Sequence, residues 1–94
     1  MGAKAEIGWK GRTAEGLKRE VYAQHVGDRW KFYEREKRYD QWQAMLEPPL
    51  EDWLELLDAV QRKIQRRLLR PEEEARIKQA IRERFPETKF EAEN

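Results

Sequence analysis

The chain has no cysteine, no serine and a single histidine, His25. Without cysteine there is no disulfide framework, no thiol nucleophile and no thiolate metal site. Thr13 and Thr88 are the only aliphatic hydroxyls, and both lie near the ends of the sequence. Nowhere does an apolar run approach the ~18 residues of a membrane span. No signal-peptide pattern opens the chain. These absences lead to the expectation of a soluble, cytoplasmic protein with no membrane contact.

Aliphatic residues are scarce too. Leu, Ile, Val and Phe together number 18 of 94 residues, while charged residues make up 41% against a typical ~25%. Disorder also requires a high net charge, and here it is only +1. Four Trp and three Tyr add large buriable area that the aliphatic count omits. One folded domain is expected, with a core that leans on aromatics. Residues 1–47 carry ten bases and eight acids, and residues 48–94 carry ten and eleven. Neither half is a general sink for polyanions, although local patches can bind them.

The clearest local signal runs from Pro48 to Pro86. At 100° per residue Leu50, Trp53, Leu54, Leu57, Val60, Ile64 and Leu68 form one apolar stripe, predicting a helix over 49–69. Pro49 suits its first turn. Acids lead (Glu51, Asp52, Glu55, Asp58) and bases follow (Arg62, Lys63, Arg66, Arg67, Arg70), which complements the helix dipole. Asp58 and Arg62 are spaced for an i,i+4 ion pair. Pro71 pushes Arg70 out of the α region and starts a second helix over 71–85. Its apolar edge is Ala75, Ile77, Ala80, Ile81 and Phe85, its i,i+4 pairs are Glu72–Arg76 and Glu74–Lys78, and Pro86 stops it. So short a connection favours neighbouring helices at a steep or antiparallel angle.

Before the helices, two β-prone runs within 17–35 flank Gly27-Asp28, a two-residue loop suited to a primed hairpin turn. That loop sets the register. His25 faces Trp30, Ala23 faces Phe32 and Val21 faces Glu34 on the expected core face. On the expected solvent face Val26 faces Arg29, Gln24 faces Lys31, Tyr22 faces Tyr33 and Glu20 faces Arg35. A third strand over 39–46 would turn Trp42, Ala44 and Leu46 inward. Residues 1–16 read either as a leader or as a short strand around Ile7 and Trp9 that ends in a turn at 13–16. Residues 87–94 read as a frayed tail.

Strands followed by helices give an α+β fold: a two- or three-stranded antiparallel meander packed against two helices, a single domain over 17–86. The expected core is Val21, Ala23, Trp30, Phe32, Trp42, Leu50, Trp53, Leu54, Leu57, Val60, Ile64, Ile77 and Ile81.

Chemistry is thinly represented. His25 has no thiol to activate and sits beside Trp30, so a structural role is expected. The acids fall in salt-bridged helical turns without metal-ligand spacing, and no Gly-rich phosphate loop precedes a helix. No catalytic group, metal or cofactor is expected. Two surfaces invite binding. Arg62, Lys63, Arg66 and Arg70 form a basic helix face able to grip phosphates. Tyr22 and Tyr33, flanked by Lys18, Lys31, Arg35 and Lys37, form a ribbon face able to stack bases. Each also reads as ordinary structure: a solvated helix end, and a cross-strand pair that stabilises its hairpin. Tryptophans left outside the core would mark a protein interface, with a homodimer the simplest case. The leading expectation is a non-enzymatic module acting through protein contacts. The alternative is nucleic-acid binding through the two basic surfaces.

Overall fold

The computed structural model describes residues 6–27, 29–36 and 40–88. The chain is α+β, with the strands before the helices: β1 Glu6–Arg12, β2 Lys18–Val26, β3 Arg29–Arg35, β4 Gln43–Met45, α1 Leu50–Gln65 and α2 Pro71–Arg84. It divides into two compact units, residues 1–48 and 49–94. The break falls between Pro48 and Pro49, just before the first helix.

The first unit is an antiparallel sheet in the order β1-β2-β3-β4. Its central hairpin has the register set by the Gly27 loop, running from Val26↔Arg29 through His25↔Trp30 and Tyr22↔Tyr33 to Glu20↔Arg35. Gly27 adopts φ 62°, the left-handed conformation a primed turn requires and glycine accepts without strain. Asp28, beside it, lies outside the described residues. Residues 6–12 form a strand and not a leader, pairing with β2 from Glu6↔Gln24 to Arg12↔Lys18. The turn at its end is closed by Thr13, whose N–H donates to the Leu17 carbonyl at 2.7 Å and whose hydroxyl accepts from the Leu17 N–H at 3.1 Å. Gly16 takes the positive φ there. Ile7, Val21, Ala23 and Phe32 are buried on one face, and Trp9 meets Phe32 edge-on with 6.1 Å between ring centroids.

The fourth strand differs from expectation. It spans three residues only, and its register is Phe32↔Met45, Tyr33↔Ala44 and Glu34↔Gln43. Gln43 and Met45 therefore share the Phe32 face, while Ala44 lies on the tyrosine face. Trp42 is 37% exposed and Leu46 93% exposed, so neither belongs to the core. The parity of a returning strand depends on how many residues the link consumes, and a one-residue slip exchanges its faces. Residues 37–39 of that link, with Tyr39 at the expected strand start, lie outside the described residues.

The second unit is a helical hairpin. Pro49 is the N-cap of α1, and its carbonyl accepts from the N–H groups of Asp52 and Trp53. The buried stripe is Trp53, Leu56, Leu57 and Val60, with Asp52 at its margin. Relative to expectation it is rotated by about 60° at 100° per residue. Leu56 comes fully inside, Leu54 is 39% exposed and Leu68 is exposed, while Leu50 and Ile64 are half-buried. The α1 helix ends at Gln65 rather than 69. Arg67 has φ 62°, the Leu68 N–H donates to the Lys63 carbonyl at 2.8 Å, and the Arg67 N–H donates to the Ile64 carbonyl at 2.9 Å. This is a Schellman C-cap built on an arginine.

As expected, Arg70 is extended and Pro71 occupies the first turn of α2. Glu73, Ile77 and Ile81 form its buried edge, whereas Ala75 is exposed. Glu73 takes Arg76 as its ion partner at 3.3 Å, and Lys78 approaches Glu74 at 3.2 Å as the spacing predicts. Gln61 donates to Glu74 at 2.9 Å, and the Arg84 guanidinium lies 5.1 Å from the Trp53 ring centroid. Residues early in α1 thus meet residues late in α2, so the helices run antiparallel.

Candidate binding face of the sheet

Alternation along four paired strands places Glu6, Gly8 and Lys10, then Glu20, Tyr22 and Gln24, then Lys31, Tyr33 and Arg35, then Ala44 on one face. Its central row runs Gly8–Tyr22–Tyr33–Ala44. The two tyrosine rings stack with centroids 4.8 Å apart and planes 18° from parallel. That distance matches the spacing between neighbouring strands, so the rings stand side by side and each covers one face of the other. Both residues are half-buried. Burial pushes the Tyr22 hydroxyl above its ordinary pKa, and the neighbouring Tyr33 and Glu6 add to the rise.

Trp42 completes the cluster, although alternation had suggested it for the core. Its ring meets Tyr22 edge-on, 4.7 Å between centroids and 88° between planes. The Arg35 guanidinium lies 4.2 Å from the Trp42 ring centroid. Arg35 also donates to Glu20 at 2.7 Å, so its charge is already balanced within the sheet.

Gly8 opens the row on the β1 side. Among the described residues, only the Val21 carbonyl oxygen and the Tyr22 Cβ lie within 4 Å of where a Cβ on Gly8 would stand. The Tyr22 ring therefore does not cover the glycine. A groove of about 620 Å³ lies over it, bordered by Tyr22, Trp42, Glu6, Lys10 and Glu20. Glu6 is held by Gln24 at 3.0 Å. The groove combines an aromatic corner with carboxylates and one lysine at its rim.

Of the residues singled out from sequence, Tyr22, Tyr33, Lys31 and Arg35 do share one face. Lys18 is exposed at the start of β2, and Lys37 lies outside the described residues. The groove itself went unseen, because Gly8 enters the tyrosine row only once β1 is known to pair with β2. The basic helix face is distributed differently. Arg62 is ion-paired with Asp58, Lys63 is half-buried in the last turn of α1, and Arg66 caps that helix. Arg70 precedes α2. Two of the four therefore sit in the connection and not on a continuous helical face.

His25 stacks on Trp30 with ring centroids 4.7 Å apart. Among the described residues, no group of three or more His, Asp or Glu side chains could hold a metal ion, and no helix is long and apolar enough to cross a membrane. Comparison with protein-family models, with curated proteins and with solved structures finds no match for this chain.

Proposed function

We propose that the chain is a small binding module without catalytic activity that acts through protein contacts, and that the Gly8–Tyr22–Trp42 groove is its contact surface. The observation that carries this reading is the edge-on Tyr22–Trp42 pair lining an open groove. Trp, Tyr and Arg are the residues most often responsible for binding energy at protein interfaces, because each offers large contact area together with a polar handle. All three meet here. Of the four tryptophans Trp53 is buried, Trp9 and Trp30 are half-buried and Trp42 is exposed, which makes Trp42 the one most open to a partner.

The test is selection from a displayed random-peptide library on the immobilised protein. Enriched peptides should lose at least tenfold in affinity on Trp42→Ala or Tyr22→Ala, with both variants shown to be folded by circular dichroism. No enrichment, or enrichment insensitive to these changes, counts against the reading.

Nucleic-acid binding is the second reading, favoured by Lys10 and Lys31 exposed on the face that carries the tyrosine stack. Against it, Arg35 and Arg62 are ion-paired, and Glu6 and Glu20 border the groove. Were Arg62, Lys63, Arg66 and Arg70 to neutralise four phosphates, log affinity should fall with log salt at a slope of about −3.6 for duplex and about −2.8 for single strands. A titration with both oligonucleotide types at low salt, showing no binding at tens of micromolar protein, retires this reading.

A further inference from the structure

We propose that a second copy of this chain docks along the outer edge of β1 and fills the groove over Gly8 with its Lys10 side chain. This rests on the groove being a protein-contact surface, and it names the partner.

The edge is available. In the order β1-β2-β3-β4 the β1 strand has a partner on one side only among the described residues. An unpaired edge presents a row of backbone donors and acceptors, and proteins usually blunt it with proline, a bulge, a very short strand or charged side chains, lysine above all. β1 has no proline, no bulge and full length, and its exposed charges, Glu6, Lys10 and Arg12, are of both signs, so a second copy can complement them. The strand runs seven residues without proline, and its pairing with β2 is continuous from end to end. Glu6, Gly8, Lys10 and Arg12 are all exposed along it.

The sequence of β1, Glu-Ile-Gly-Trp-Lys-Gly-Arg, then selects the register. Two copies related by a twofold axis pair antiparallel, and residues opposite one another must point to the same face. The axis must therefore pass through a residue. Centred on Ile7, the pairing among the described residues spans only Glu6 to Gly8. Centred on Lys10, it sets two lysines opposite each other, which is repulsive. Centred on Gly8, it pairs Glu6 with Lys10 and leaves Gly11 and Arg12 at the end of the strand unused. Centred on Trp9, it engages all seven residues with no like charges opposed.

In that last register Glu6 faces Arg12 of the second copy at both ends. Trp9 faces its counterpart, an aromatic cross-strand pair. Gly8 faces Lys10 of the second copy, whose stem enters the groove beside Tyr22 and Trp42 and whose ammonium reaches the Glu6 and Glu20 rim. A cation against aromatic rings with carboxylates nearby is a favourable pairing, and the missing side chain at Gly8 provides the room. Arg12 now gives one N–H to the Gly16 carbonyl at 2.9 Å, which leaves other donors of its guanidinium for Glu6.

The experiment is sedimentation equilibrium of the full chain from low micromolar into the hundreds of micromolar. The wild type should rise from 11.4 kDa toward twice that mass. Glu6→Arg or Arg12→Glu alone should weaken association at least tenfold, and the double swap Glu6→Arg/Arg12→Glu should restore it. Both sites are exposed, so folding should be unaffected, which far-ultraviolet circular dichroism checks. A wild type that stays monomeric throughout overturns the self-pairing, while peptide selection through Trp42 and Tyr22 would still stand. Rescue by a Glu6→Lys/Lys10→Glu swap in place of the first overturns the Trp9-centred register. A dimer indifferent to every one of these changes overturns the β1 edge as its interface.

Discussion

The Arg35 guanidinium lies 4.2 Å from the Trp42 ring centroid while donating to the Glu20 carboxylate at 2.7 Å. One cation thus joins β2, β3 and the segment that leads into β4. Stacking over an aromatic ring contributes about 0.5–1 kcal/mol at accessible sites, and a partly exposed ion pair adds about 0.2–1 kcal/mol. Arg35→Ala should therefore lower stability by about 1–2 kcal/mol in urea unfolding. Arg35→Lys should recover only part of the loss, because an ammonium keeps the charge but not the planar stacking. Equal stability of the Lys variant and the wild type would show that charge alone matters at this position.

Glu74 gives the helical unit a pH dependence of known sign. The hydrogen bond from Gln61 holds its carboxyl below the ordinary 4.5, and Lys78 adds to the effect against the opposing influence of burial. A depressed folded-state pKa means that the unfolded chain binds the proton more tightly. The contribution is therefore present above the unfolded value of 4.5 and is lost as pH falls through the lower folded value. Urea midpoints measured from pH 7 down to pH 3 should fall less steeply below about 4.5 in Glu74→Gln than in the wild type. Parallel profiles for the two proteins would exclude the Gln61–Glu74 bond as a source of acid sensitivity.

What was legible in the sequence was whatever is fixed locally. Gly27 sets the β2–β3 register because a two-residue loop leaves no freedom in pairing, and each cross-strand pair along that hairpin is found. Pro71 sets the start of α2 through its own stereochemistry. The candidate face was half legible: Tyr22 and Tyr33 followed from the hairpin, but Trp42 and Gly8 did not. Gly8 reaches the face through the β1–β2 pairing and Trp42 through the segment that leads into β4, and connecting lengths alone do not determine either placement. The stripe of α1 shows the same limit. Leu54 and Leu56 are both leucines on the flanks of the Trp53–Leu57–Val60 line, and periodicity cannot tell which flank turns inward. Asp52 is buried on the Leu56 side, where a carboxylate ordinarily marks a solvent-facing flank.

The rotation of that stripe is measurable. Leu56 is fully buried, so Leu56→Ala removes packed methyl groups and leaves a cavity, at a cost of about 2–5 kcal/mol. Leu54 is 39% exposed, and Leu54→Ala should cost less than about 1 kcal/mol, as substitutions away from packed sites generally do. Chemical denaturation of the two variants side by side reads the difference directly. A larger loss at Leu54 than at Leu56 would mean that the stripe is centred as the periodicity alone suggests, and similar losses would rule out the rotation.

Arg67 carries the backbone strain of the helical connection. Its φ of 62° brings the side-chain Cβ close to the following carbonyl, at roughly 1–2 kcal/mol for an L-residue. The two capping bonds, from the Leu68 N–H to the Lys63 carbonyl and from the Arg67 N–H to the Ile64 carbonyl, hold it there and close the last turn of α1. Glycine adopts this conformation without steric penalty and is the residue helices most often use at this position. Arg67→Gly removes the strain but gives the unfolded chain more freedom, which offsets part of the gain. The net expectation is a stabilisation of about 0.5–1 kcal/mol, or several degrees in Tm for a chain of this size. Arg67→Ala, which deletes the charge and keeps the Cβ, separates the two influences. It should leave stability near that of the wild type. If alanine stabilised as much as glycine, relief of repulsion among Arg66, Arg67 and Arg70 would be the cause, and not the left-handed backbone.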